Sequence, residues 1–349
     1  MIITPDHQQL FTLENAKTLQ NKIQEYRKLL AKPFVNTKDI ETYRQKSNEV
    51  YNAIIPESIR PLSKNKKVKI VPDHWLSTIP FESLVTDTNT GKYLIEDAEI
   101  SYTYSLSFDA QNKLIPRNAP HSFLGMAPVD FNEDLASLKS STKELKKAES
   151  LYPGTLYLNE EATKEHFIDA IDQHQIIHLA THANAADSIA PWIAFRHKKL
   201  IASELGLLQH QAELVVLSAC NTSLGEVRSG EGVQSLARGF FQSGAKSVIP
   251  SLWSTNDKAT ATITQSFYKE LSTGKTKATA LRNAKLAYIK NNLDAEASPY
   301  YWASLILLGD TGTLVPPPNT FYLWYVFIGL CIASLLLLWS RKHLKKTSN

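Results

Sequence analysis

Between residues 68 and 291 the chain alternates short apolar runs with segments whose apolar positions recur every three or four residues, and few folds accommodate that pattern. The runs 68–71, 99–104, 122–126, 176–180 and 247–253, and the run Glu213-Leu-Val-Val-Leu-Ser-Ala-Cys220, have strand character bounded by Pro, Asp and Asn. Segments 143–152, 163–174, 232–243, 259–271 and 276–291 read as helices, and 192–195 with 199–202 as a hairpin. Strands that carry Leu214, Val215, Val216 and Leu217 without polar interruption are covered on both faces. The alternation therefore predicts an α/β fold with a mainly parallel sheet and helices on both faces.

Ahead of this block, Leu13, Ala16, Leu19, Ile23, Tyr26 and Leu30 form one apolar stripe, and Ile40, Tyr43, Val50 and Ile54 form another on which Ser47 also lies. Asn36 or Thr37 caps the second helix and Pro56 ends it. This N-terminal helical hairpin, assigned to residues 1–62, has two open uses: packing on the main domain, or docking a protein partner. The apolar fraction of 43% suits a well-packed core. The net charge of +4 sits almost wholly in Arg341, Lys342, Lys345 and Lys346, so the rest of the chain is near neutral. A nucleic-acid partner is not expected, because phosphate binding needs clustered Lys and Arg on the folded surface.

Residues 321–339 carry no charge over nineteen positions, and at 1.5 Å per residue they reach about 29 Å, near the hydrocarbon thickness of a bilayer. Tyr322, Trp324 and Tyr325 flank one end and Trp339 the other, followed by the basic tail 340–349. The stretch reads as a C-terminal transmembrane helix, single-pass, joined through the stiff spacer 314–320 with Pro316-Pro-Pro318. The basic tail points the large domain outward, whereas residues 1–9 lack the basic and apolar regions of a secretory signal. The side of the membrane stays open. The two cysteines, Cys220 and Cys331, fall in different phases, so no disulfide is expected.

The chemistry points to strand ends, where open α/β sheets form their ligand crevice. Cys220 ends one apolar strand, and His182 follows Gln175-Ile-Ile-His-Leu-Ala-Thr181 38 residues earlier, a spacing that allows a crossover between parallel neighbours. A thiol beside an imidazole is a candidate nucleophile and base. The alternative is a packed histidine and an inert buried thiol. A zinc site at His174, His178 and His182 is not expected, because on a strand His178 and His182 lie about 13 Å apart and no carboxylate or thiol completes the set. Ser272-Thr-Gly-Lys-Thr276 fails as a phosphate loop, since the upstream glycine falls at Lys269. Ser218 lacks the flanking glycines of a nucleophile elbow.

Several motifs, in order, resemble one family: Val68-Lys-Ile-Val-Pro-Asp-His-Trp-Leu-Ser-Thr-Ile-Pro-Phe-Glu-Ser-Leu84, His178-Leu-Ala-Thr-His182, Leu217-Ser-Ala-Cys-Asn-Thr222, and Gly230-Glu-Gly-Val-Gln-Ser-Leu-Ala-Arg-Gly-Phe-Phe-Gln-Ser-Gly-Ala245. Ser251-Leu-Trp253, Asp257, Ser298-Pro-Tyr-Tyr-Trp-Ala303 and Gly309-Asp310 continue the match. The chain resembles the CHAT domain, a caspase-like peptidase family often found with tetratricopeptide repeats. The resemblance implies a caspase-like α/β domain over 63–313, with His182 and Cys220 as a catalytic dyad and backbone N–H groups of Ala183 and Cys220 as the oxyanion hole. It implies a cysteine endopeptidase acting on a protein or peptide substrate, without metal or cofactor. Related enzymes carry glycine after the histidine, and here Ala183 stands there. That departure keeps a second reading open, a peptidase-like scaffold that binds partners without cutting them.

Overall fold

In the computed structural model, residues 1–314 are described apart from 6–7, 14, 132–134, 185–189, 219–231 and 254–255. The main sheet contains β1 (Lys66–Ile70), β2 (Ala98–Tyr102), β3 (His121–Ala127), β4 (Gly154–Leu158), β5 (His174–Leu179), β6 (Leu214–Leu217), β7 (Ser247–Ile249) and β8 (Leu308–Gly309). Their spatial order is β1, β2, β8, β7, β6, β5, β3, β4. Neighbours are parallel except β7 and β8, so β7, β6, β5, β3 and β4 run one way and the rest the other. Every residue of β5 and β6 is buried, which requires cover on both faces at the centre of the sheet.

The largest departures from the strand lengths expected from sequence are in β6 and β7. β6 ends at Leu217, before Cys220, and β7 ends at Ile249 because Pro250 has no N–H for the ladder. The two-residue strand β8, too short to show a periodicity, supplies the reversal in the sheet.

Helices α1 (Ala16–Leu30) and α2 (Thr37–Ile54) form the hairpin, with Asn36 capping α2 by accepting from Asp39 N–H. Next come α3 (Leu106–Leu114), α4 (Ser141–Glu149), α5 (Lys164–Ala170), α6 (Gly232–Ser243), α7 (Asp257–Ser272) and α8 (Lys277–Asn291). Helix α7 packs against α4 and α8, while Phe108 of α3 meets Phe241 of α6 edge-on at 5.1 Å.

The hairpin turns its stripe inward. Ile23, Tyr26, Leu30, Tyr43, Val50 and Ile54 join the main core, and both helices belong to the same compact unit, Met1–Leu314. Ser47 sits on the stripe for a reason: its hydroxyl accepts from Val85 N–H at 2.9 Å and donates to Ser83 O at 3.3 Å. Tyr26 and Tyr43 share a 2.8 Å hydrogen bond and reach Ser83 Oγ and O at 2.7 and 2.9 Å. From Leu19 onward the apolar stripe is thus occupied by the domain, whereas Leu13, expected on the same stripe, lies before α1 and is exposed, as is Ala16.

Just before β6, His210 lies under α6 against Phe240, and Gly244, at φ +125°, closes on it. A Cβ on Gly244 would stand 2.0 Å from His210 O. Burial pushes the His210 imidazole down to about 4, opposed by the Phe240 backbone and reinforced by Arg117. The unfolded chain therefore binds the proton that the folded chain refuses, and stability is lost as pH falls from about 6.5 towards 4. Urea unfolding should show the stability margin of the parent over His210→Gln shrinking by about 2 kcal/mol between pH 7 and pH 5. A margin constant with pH would contradict this assignment.

Among the described residues no helix is long and apolar enough to cross a membrane. The sequence-predicted span 321–339 with Cys331, its spacer from Val315 onward and the basic tail lie outside the described residues.

Candidate active site

Strands β5 and β6 pair in register, Leu179 beside Leu217, with β3 on the far side of β5 and β7 on the far side of β6. Their carboxyl ends open on one edge of the sheet, where crevices form in such folds. The chain leaving β5 is tightly held. Ala180 N–H donates to Met126 O of β3 at 3.0 Å, the buried Thr181 hydroxyl donates to Ala194 O at 2.6 Å, and Ala194 N–H donates to His182 O at 2.8 Å. A small antiparallel sheet, Ala183–Asn184 with Trp192–Ala194 and Lys199–Ile201, continues from there.

This anchoring sets His182 in a half-buried position against the loop after β3. Its Nε2 lies 2.7 Å from Ala136 O, and its ring packs on Phe131 with centroids 4.8 Å apart. A carbonyl can only accept, so Nε2 carries a hydrogen, and in the neutral form of the ring the acceptor is Nδ1. The loop reaches this place through a γ-turn. Val129 has φ +62°, Asp130 N–H donates to Pro128 O at 2.7 Å, and Leu138 N–H donates to Val129 O at 2.9 Å. A β-branched residue at positive φ is strained, and such strain clusters at functional sites.

Cys220 and its N–H lie outside the described residues, as does the segment 219–231. The described chain reaches Ser218, two positions before Cys220, and Cys220 follows Leu217 by the same three residues that separate His182 from Leu179. Ala183 is buried in an extended strand and is absent from the positive-φ residues. The freedom of glycine is not required at this position in this conformation.

Behind the crevice His178 is fully buried, with Nε2 3.0 Å from Ser218 Oγ and 3.0 Å from Glu144 Oε1, and Nδ1 3.2 Å from Tyr268 OH. His174 turns elsewhere, to Ala170 O at 2.9 Å and Thr155 Oγ1 at 3.3 Å. His174 and His178 of β5 and His182 beyond it thus hold separate partners, and no cluster of metal-ligating side chains occurs among the described residues. Sequence reading missed the Ala136 carbonyl, which any residue type could supply. It also missed Glu144, whose signal was a lone acid on the inner stripe of Ser141, Leu145 and Ala148.

The CHAT domain family matches residues 44–310. This chain belongs to the CHAT domain family. The match begins within α2, at residue 44. Tetratricopeptide repeat protein 28 of Homo sapiens is 24% identical over 313 residues, covering 74% of this chain and 12% of that protein. The Mus musculus protein of the same name is 23% identical over 74% of this chain and 13% of its own length. The chain therefore spans about an eighth of these relatives. Among solved structures, the Saccharomyces cerevisiae separase–securin complex aligns with a TM-score of 0.51 at 13% identity, over 87% of this chain and 23% of that one. The Arg-specific cysteine proteinase gingipain R aligns at 0.50 and 12% identity, over 86% and 76%. At such identities the likeness establishes the fold: the CHAT domain here is a caspase-like α/β domain with a mainly parallel central sheet.

Proposed function

We propose that this CHAT domain is a cysteine endopeptidase in which Cys220 is the nucleophile and His182 the general acid and base. The observation that carries the reading is the tether on His182: Nε2–H is held by Ala136 O, which leaves Nδ1 to serve a thiol. The strand leading to Cys220 is the direct neighbour of the strand leading to His182. In this reading the Cys220 thiolate attacks the peptide carbonyl and His182 passes the proton from Nδ1 to the leaving amine. A water, deprotonated by the same nitrogen, then hydrolyses the thioester. The N–H groups of Ala183 and Cys220 are proposed as donors to the oxyanion. That gingipain R is a cysteine proteinase and that separase was solved with securin support a peptidase class and a protein partner, respectively.

The uncharged run 321–339 is proposed as a membrane anchor on its sequence alone. Limited proteolysis of intact cells would report the side on which the domain lies.

The test is cleavage of a peptide library by the detergent-solubilised full chain, read as new termini by mass spectrometry. Cleavage is expected in the parent and absent from Cys220→Ala. Cleavage equal in both, or absent from the parent, contradicts the peptidase and favours a scaffold that binds without cutting.

A further inference from the structure

We propose that His178 and Ser218 form a positioning pair that fixes the end of β6 from which the chain continues to Cys220, an inference that rests on the dyad reading. Three features argue for it. The bond crosses from β5 to the residue after β6, joining the two strands that lead to the dyad, at 3.0 Å between His178 Nε2 and Ser218 Oγ. It is wholly enclosed, His178 being 0% and Ser218 8% exposed, so water does not compete for it. And the imidazole is oriented from every side. Glu144 of α4 faces Nε2 at 3.0 Å, Tyr268 of α7 faces Nδ1 at 3.2 Å, and Phe123 of β3 meets the ring edge-on at 6.4 Å.

The orientation follows from the partners. Burial, with smaller contributions from Glu144 and Tyr152, holds the Tyr268 phenol well above its usual value, so it keeps its proton and donates a hydrogen bond to Nδ1. Nε2–H then points between Glu144 Oε1 and Ser218 Oγ. Glu144 is itself fixed by the Thr264 hydroxyl at 2.7 Å. A core that needed only apolar filling would not assemble four polar side chains from α4, β5, α7 and the β6 exit. Held in this way, Ser218 cannot rotate or slide along the sheet, so the described end of β6, from which the chain leads on to Cys220, is fixed. The requirement of the proposed chemistry is a thiol kept in one place relative to an imidazole.

The experiment follows alkylation of Cys220 by iodoacetamide across pH in the full chain, with peptide mapping to separate it from Cys331. The parent, Ser218→Ala, Ser218→Thr, His178→Gln and His182→Ala are compared, and thermal unfolding is recorded for each. The parent is expected to react with a titration midpoint below the usual thiol value of about 8.5. Ser218→Ala, which only removes an oxygen, should lower the rate at pH 7 about fivefold and raise the midpoint, and Ser218→Thr should restore both. His178→Gln should act in the same direction; if it fails to fold, the two serine variants still decide the matter. A depressed parent midpoint that Ser218→Ala leaves unchanged overturns the positioning role and leaves the dyad standing. An ordinary parent midpoint, unmoved by His182→Ala, overturns the dyad and this inference with it.

Discussion

Replacing Glu82 with alanine should lower the stability of the folded domain by about 3–5 kcal/mol, more than any surface change. Glu82 is 4% exposed and Lys285 of α8 lies fully within the core, their Oε1 and Nζ 2.6 Å apart. The second carboxylate oxygen accepts from Tyr102 OH, and that phenol oxygen in turn accepts from Phe81 N–H at 2.7 Å. Burial first, and Glu82 second, hold the Tyr102 phenol well above its usual range, so it remains a donor to the carboxylate. Removing the carboxylate leaves an ammonium in apolar surroundings with no counter-charge, which is the costly way to break a buried pair. The cost should fall to about 1–3 kcal/mol in Glu82→Met with Lys285→Met, where neither charge is left behind and only the Tyr102 hydroxyl has lost its acceptor. Urea midpoints of the two single variants and the double variant measure this directly. A loss below about 1 kcal/mol in Glu82→Ala would mean that Lys285 reaches water when its partner is gone.

In the proposed reaction, His182→Ala should cut kcat/KM by about 10²–10⁴ while leaving the fold intact. Stability should change little because the imidazole is half-buried and makes one polar contact among the described residues, whereas the backbone bonds at Ala180 and His182 do not depend on it. Ala136 supplies only its carbonyl, so Ala136→Ser should keep that orientation and most of the activity. The contrast separates a tether made by backbone from one made by a side chain. Equal activity in the parent and His182→Ala would remove the histidine from the mechanism.

The sheet was largely legible because its central strands carry short apolar runs, and an uninterrupted one such as Leu214–Leu217 has little other use than a doubly covered strand. The start of α2 was legible because a capping side chain, Asn36, was present, whereas the caps Asn256 and Thr276 went unread and α7 begins two residues before the expected 259. The reversal at β8 was not, since two residues carry no periodicity. For the candidate site, His182 could be read from its place after an apolar strand, but its orienting partner could not, because a main-chain carbonyl leaves no trace in residue type. The segment Ile79-Pro-Phe-Glu-Ser-Leu84 drew notice only as part of a resemblance. Its role is in the core: Ser83 receives the hairpin tyrosines, and Glu82 receives Lys285 and Tyr102.

The measurement closest to the central claim is covalent labelling of the detergent-solubilised full chain by a thiol-directed peptide probe, mapped to the modified residue. Rapid modification of Cys220 is expected in the parent, none at that position in Cys220→Ala, and a rate about 100-fold lower in His182→Ala. Labelling of His182→Ala at the parent's rate, or no labelling of the parent with either acidic or basic P1 probes, would contradict that claim.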